Sequence, residues 1–251
     1  MNITSHLRNF LADVGTAWRL LTILPLPLFP VDTNRPAGYA AAYYPLVGLV
    51  IGLLLAGVHW AAGQLFSDGV TAALVLTVWV ALTGMLHLDG FMDSCDGLLP
   101  PREPARRLEI MKDSRVGAFG VVGVVLLILL KFNALLSLPP TLRWGALLVA
   151  PTLARAAMTW AMGRYPLARS EGLSVFFREG LGWSQVVIAA ALAAFIALAV
   201  LGFPGFLVLG VAWLSTMLLA RFAVLRIHGL TGDIYGAICE VVEVAVLLVI
   251  L

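Results

Sequence analysis

Residues 70–97 read "VTAALVLTVWVALTGMLHLDGFMDSCDG". The stretch 70–86 holds no charged residue and reads as part of a membrane span, since about 20 apolar residues in a helix cross the hydrocarbon core. The next eleven residues place His87, Asp89, Asp93 and Asp96 directly at its end. Acids are costly in hydrocarbon and normally face a protein interior or a wet cavity. This junction therefore predicts both the fold, a bundle of membrane helices, and the position of its chemistry.

The rest of the chain agrees. Of 251 residues, 61% are hydrophobic and 12% charged, against roughly a quarter charged in a soluble domain. Mean hydropathy is +0.98. Spans are expected near 38–65, 71–93, 117–136, 144–163, 184–202, 206–226 and 234–251. That makes an all-α, polytopic integral membrane bundle of about seven transmembrane helices in one domain, residues 1–251. The N-terminal "MNITSHLRNFLADVGTAWRLLTILPLPLFP" lacks a continuous apolar core with a small-residue cleavage site, so it is expected to be retained as an interfacial helix. Segments 1–36, 97–115, 164–183 and 226–233 hold twelve of the sixteen Lys and Arg, and the positive-inside rule puts them in the cytoplasm. A net charge of +2 gives no basic surface for nucleic acid. Cys95 and Cys239 have neither zinc nor disulfide spacing and read as small helix residues.

Asp89, Asp93 and Asp96, spaced by four and three, fall on one helical stripe. In a continuous span Asp89 would lie about 10 Å deeper than Asp96. Three like charges on one stripe call for a cation. Mg²⁺ suits them, because it takes hard oxygen ligands, keeps waters and is commonly completed by substrate phosphates. His87 reads as a hydrogen-bonding neighbour before a base. Downstream, "LLPPREPARRLEIMKDSRVGAFG" lets Pro104 begin a short helix capped by Glu103. There Lys112, Ser114 and Arg115, with Asp113 among them, abut a glycine-rich helix start that suits anions. Arg102, Arg106 and Arg107 read as an ordinary basic loop.

Arg155, about 12 Å inside its span, calls for a partner. Lys131 falls nearer the outer side, where it can snorkel, and receives no function. Segment 164–179, "RYPLARSEGLSVFFRE", reads equally as a lid or an interfacial loop. In "HGLTGDIYGAICEVVEVAVLLVIL", Asp233 and Glu240 lie seven residues apart on one face, with Glu243 displaced. Glu240 matches Asp89 in depth, so this second acidic set is expected to face the first.

"HLDGFMDSCDG", "RRLEIMKDSRVGAFG" and "TGDIYGAICEVVE" closely resemble the cobalamin synthase family, the adenosylcobinamide-GDP ribazoletransferases. "LTILPLP", "YPLVGLVIG", Arg155 and "EGLSVFF" at 171–177 extend the resemblance along the chain. One position departs: Ile23 follows Thr22 where the family commonly has a basic residue. The resemblance implies a Mg²⁺-dependent enzyme of the bacterial cytoplasmic (inner) membrane, with its site facing the cytoplasm, near the end of vitamin B12 assembly. It would join adenosylcobinamide-GDP to α-ribazole, or to α-ribazole 5′-phosphate, and release GMP. It implies metal binding by Asp89, Asp93 and Asp96, one of which takes the hydroxyl proton, and by Asp233 and Glu240 for the same or a second ion. Substrate contacts would come from His87, Lys112, Asp113, Ser114, Arg115, Arg155 and Glu171. Assembly into a homo-oligomer is left open.

Two other classes use intramembrane acids. Transferases of CDP-alcohols or prenyl diphosphates also need Mg²⁺, but their glycine, arginine and asparagine spacing differs. An ion-coupled transporter expects polar groups through the whole bilayer, whereas these acids concentrate in the predicted cytoplasmic half.

Overall fold

The structure, a computed structural model, describes residues 3–25 and 35–251. It contains helices α1 (Ile3–Leu21), α2 (Tyr44–Gly63, entered through a 3₁₀ turn at Ala37–Tyr43), α3 (Asp68–Leu82), α4 (Leu86–Leu98), α5 (Pro104–Ile110), α6 (Ala118–Ser137), α7 (Pro140–Arg164), α8 (Leu173–Phe176), α9 (Trp183–Leu201), α10 (Pro204–Ile227) and α11 (Gly232–Ile250). There is no sheet among the described residues. One isolated bridge pairs Leu167 with Leu230.

The chain is a multi-pass membrane protein. Among the described residues four helical segments, Ala37–Gly63, Ala118–Ser137, Trp183–Leu201 and Pro204–Ile227, are long and apolar enough to cross a bilayer, and a fifth forms if α3 and α4 count together. Their outward faces are apolar: Val122, Val125, Leu126 and Leu129 of α6 and Phe206, Leu207 and Leu218 of α10 are all at least half exposed. Large apolar side chains outside and charged ones inside is the arrangement lipid requires. α7 and α11 are comparably long but bury Arg155 and the pair Glu240 and Glu243.

α7 is the central post. Gly48 and Gly52 let α2 lie directly on its backbone; a Cβ at either would come within 2.4 and 2.5 Å of the Pro151 and Leu147 carbonyl oxygens. Because the later glycine meets the earlier α7 residue, the two helices run antiparallel. α11 packs on the same post and on α4.

The expected span 71–93 is not one helix. α3 stops at Leu82, and α4 leaves at 87° to it. Gly84 and Met85 take φ of +60° and +63°; a left-handed residue after a helix end is the usual stop, free for glycine and costing about 1–2 kcal/mol for methionine. Ile23 secures the break. Its amide donates to the Leu82 carbonyl at 2.9 Å, and a Cβ on Gly84 would meet its side chain at 2.6 Å. Thr22–Ile23 thus closes the end of α3 on the descending strand of chain from α1. The remainder of "LTILPLP", Leu26 and Pro27, lies outside the described residues. With α4 turned across α3, the rise from Asp96 to Asp89 no longer follows the direction of α3, which removes the basis for the 10 Å difference in depth.

Candidate functional site

α4 and the start of α11 cross at two glycines. A Cβ on Gly90 would lie 2.9 Å from the Asp233 carbonyl oxygen, and one on Gly236 would lie 3.0 Å from that of His87. Only hydrogens fit at this crossing, so Asp89 and Asp93 of α4 come beside Asp233. Asp89, Asp233 and Asp96 all lie close enough to Asp93 for their charges to act on it. Thr231 caps α11: its hydroxyl oxygen accepts from the Ile234 amide at 3.4 Å and its proton goes to Asp233 Oδ2 at 3.1 Å. Such a cap satisfies an amide that the helix itself cannot.

Asp89 lines two cavities. The inner lobe, about 270 Å³, is lined among others by His87, Asp89, Arg169, Glu171, Asp233 and Tyr235. The outer lobe, about 230 Å³, is lined by Asp89, Asp93 and the run Lys112–Asp113–Ser114–Arg115. The sequence segments "HLDGFMD" and "KDSR" therefore do meet. Lys112 is exposed. Arg115 chelates Asp113, with Nη2–Oδ2 at 2.7 Å and Nε at 3.1 Å from both oxygens, and these bonds pull the Asp113 carboxyl down to about 2. An exposed pair of this kind is worth little in water, so an incoming phosphate can take the Arg115 fork from Asp113 at small cost.

Other expected members are elsewhere. Asp96 faces α6, where Oδ2 accepts from the Gly117 amide at 2.9 Å and Oδ1 from that of Gly120 at 2.8 Å. It is a buried helix cap and lines neither lobe. Glu240 does not face Asp89: Lys131 Nζ donates to its Oε2 at 2.8 Å, and Lys131 also pairs with Glu243. Arg155 is wholly buried and pairs with Glu243, which further accepts from Trp79 Nε1 at 3.2 Å. Lys131, expected to snorkel, is 1% exposed. These two cations and two carboxylates form one neutral network joining α6, α7 and α11. Arg155 nevertheless touches the site indirectly, through His87 Nδ1 at 3.4 Å.

Arg107, expected to be a plain loop residue, is buried and donates to the Gly97, Leu98 and Arg102 carbonyls at 3.0, 2.6 and 2.7 Å. With Arg226, which reaches Leu98 O at 2.6 Å, it closes the C-terminus of α4, where cations are favoured. Glu103 occupies the N-cap position of α5 without a side-chain hydrogen bond.

Arg169 is one of five charged residues in segment 164–179, and nothing in the sequence singles it out. The bonds from Ala168 N to Leu230 O and from Leu230 N to Pro166 O, at 2.9 and 2.8 Å, pin this loop beside the start of α11. There Arg169 lies 3.8 Å from Asp233 Oδ2. Tyr44 and Tyr235 also line the inner lobe; they lie within "YPLVGLVIG" and "TGDIYGAICEVVE", where spacing alone does not separate an aromatic residue at the site from one in the core.

Among the described residues, no three His, Cys, Asp or Glu side chains are arranged to hold a metal ion by themselves. The donor set at the junction of the lobes is nonetheless hard oxygen, with Arg169 lying 3.8 Å from Asp233. That suits Mg²⁺, which is usually held by one or two carboxylates plus substrate phosphates and waters.

A family model described as cobalamin-5-phosphate synthase matches residues 13–251. An adenosylcobinamide-GDP ribazoletransferase of Stutzerimonas stutzeri (strain A1501) is 44% identical over 235 residues, covering 92% of this chain and 94% of the relative. Those of Roseiflexus sp. (strain RS-1) and Desulforamulus reducens are each 39% identical, over 94% and 96% of this chain and 88% and 96% of their own lengths. No solved structure matches the chain.

Proposed function

The chain belongs to the cobalamin-5-phosphate synthase family, and from that premise we propose that it is an adenosylcobinamide-GDP ribazoletransferase whose reaction takes place where the two lobes meet. The observation that carries this placement is that both lobes share Asp89: two substrates in neighbouring cavities have one carboxylate in common.

In the reaction a ribose hydroxyl of α-ribazole, or of its 5′-phosphate, attacks the diphosphate phosphorus nearer the corrinoid. An O–P bond forms to the ribose, the P–O bond to the second phosphorus breaks, and GMP leaves. The hydroxyl proton passes to a carboxylate, Asp89 or Asp93. Lys112, Ser114 and Arg115 hold diphosphate oxygens in the outer lobe, and Arg169 meets them from the inner side. One or two of Asp89, Asp93 and Asp233 would hold Mg²⁺, with substrate oxygens and waters as its other ligands, and the ion would supply neutralisation of the diphosphate charge. The protein's own part is positioning and fixed charge, which dominate phosphoryl transfer. Glu171 contributes at the inner-lobe rim.

Asp96 and Arg155 act in this reading through structure: the first fixes α4 to α6, the second backs His87. We read the fold as one domain with seven crossings, counting α3 with α4 and adding α7 and α11. The site then faces the cytoplasm across the inner membrane, where the basic segments gather. The test is GMP release by purified protein in lipid, given adenosylcobinamide-GDP and α-ribazole 5′-phosphate, with and without Mg²⁺. Mg²⁺-dependent release requiring both substrates supports the reading; no release under any condition overturns it.

A further inference from the structure

Six buried side-chain atoms have no hydrogen-bond partner within the protein among the described residues. Four of them, Tyr44 Oη, His87 Nε2, Arg169 Nε and Tyr235 Oη, belong to residues lining the inner lobe. Folded proteins rarely leave buried polar groups unpaired. Their gathering around a single cavity indicates that a ligand supplies their partners.

The surroundings of His87 define what it offers. Arg155 Nη2 stands 3.4 Å from Nδ1, and a guanidinium can only donate. Nδ1 is therefore the acceptor, and the ring proton is assigned to Nε2. Glu243 holds Arg155 from behind, and Lys131 ties Glu243 to Glu240, so the arginine is fixed and with it the tautomer. His87, one of the residues lining the inner lobe, thus carries at Nε2 an N–H donor that has no partner within the protein. The lobe also has soft, apolar walls: Leu20, Met158, Met162 and Phe177. Thioether and aromatic walls suit a flat, polarizable ligand. At about 270 Å³ the lobe sits just below the roughly 300–1,000 Å³ of pockets for drug-sized ligands, room for one nucleoside and not for a corrinoid macrocycle.

We propose that the inner lobe is the subsite for the acceptor nucleoside, its bicyclic aromatic base lying between the apolar walls with His87 Nε2–H donating to the base's in-plane imine nitrogen. This rests on the ribazoletransferase reading above. An N-glycosylated benzimidazole has one such nitrogen, so one fixed N–H donor matches it. With the base inside, the ribose extends toward Asp89 at the shared edge, and its hydroxyl meets the diphosphate of the outer lobe. His87 is accordingly a binding and specificity residue; in this tautomer it is not the proton acceptor at Nε2.

The experiment compares two acceptors in the GMP-release assay: α-ribazole, and its indole counterpart in which C–H replaces the imine nitrogen. Wild-type protein is expected to show a KM for the indole counterpart roughly tenfold above that for α-ribazole, the worth of one hydrogen bond, with the KM for adenosylcobinamide-GDP unchanged. In His87→Phe the ratio should fall to about one, while His87→Gln, which restores an N–H near the place of Nε2, should keep most of the discrimination. Leu20→Trp, which narrows the lobe from α1, should raise the acceptor KM alone, and it decides the matter if His87→Phe does not fold. Equal KM values for the two acceptors in wild type, an undiminished ratio in His87→Phe, or a Leu20→Trp effect confined to adenosylcobinamide-GDP would each overturn the assignment. The last outcome would place the guanine in the lobe. Absence of GMP release from wild type with either acceptor would instead defeat the transferase reading on which the subsite rests.

Discussion

Gly90→Ala tests whether the α4–α11 crossing sets the geometry of the site. The added methyl would lie 2.9 Å from the Asp233 carbonyl oxygen and 3.0 Å from its Cα, where ordinary contact begins at 3.4 Å. The atoms it meets are backbone, so they cannot swing aside, and the helices must part by about 0.5 Å, the difference between 3.4 and 2.9 Å. That displacement falls on the carboxylates themselves, since Asp89 precedes Gly90 and Asp233 is the residue struck. A misplacement of about 1 Å costs on the order of a hundredfold in rate, so half of it is expected to cost about tenfold. Overpacking costs about 1–3 kcal/mol, and alanine returns about 1 kcal/mol of helix propensity. The variant should therefore fold, lose no more than about 2 kcal/mol, and turn over about ten times more slowly. The assays are GMP-release kinetics across a Mg²⁺ titration and thermal unfolding in the same lipid. Gly57→Ala, with no atom within 4 Å of the added Cβ, is the matched control and should turn over normally. A Gly90→Ala protein with wild-type turnover and an unchanged Mg²⁺ requirement would refute this reasoning.

Asp96→Asn is expected to lose one of two cap bonds to α6 and about 1–2 kcal/mol of stability, with an unchanged Mg²⁺ requirement; a raised requirement would return Asp96 to the metal set. Glu240→Gln should likewise leave Mg²⁺ dependence untouched, because its partner is Lys131. Lys131→Met should destabilise by about 3–5 kcal/mol, the cost of stranding buried carboxylates, and adding Glu240→Gln should recover part of it; denaturant unfolding that shows no loss would argue against the network. In a protein lacking Cys95 and Cys239, Arg102→Cys should be shielded from an impermeant thiol reagent in intact cells while Phe203→Cys, at an exposed position, is labelled. The reverse pattern would invert the topology.

Helical spacing made Asp89 and Asp93 legible, and the "KDSR" run was legible as their neighbour because mixed charge beside a glycine-rich helix start has few other uses. Asp96 was not separable from them, since its spacing is equally good; what distinguishes it is the start of α6, 21 residues further on, which turns its carboxylate away. The break at Gly84–Met85 carried a stop signal in its glycine, but unbroken hydropathy masked it. Depth along the chain misled for Glu240, while the partner that a buried Arg155 calls for is Glu243. Similar depth brings residues together only when their helices turn those faces toward each other, and Lys131, read as lipid-facing, was the missing partner. Arg169 depends on the pairing of its loop with Leu230, a contact no local pattern encodes.

Asp89 is the one carboxylate common to both lobes, so its replacement is the most direct test. Asp89→Asn keeps the shape of the side chain and removes the charge. In folded protein supplied with both substrates and Mg²⁺, the rate of GMP release is expected to fall on the order of a thousandfold, the several kcal/mol that a lost metal ligand removes from phosphoryl transfer. Turnover near the wild-type rate would contradict a reaction centred where the two lobes meet.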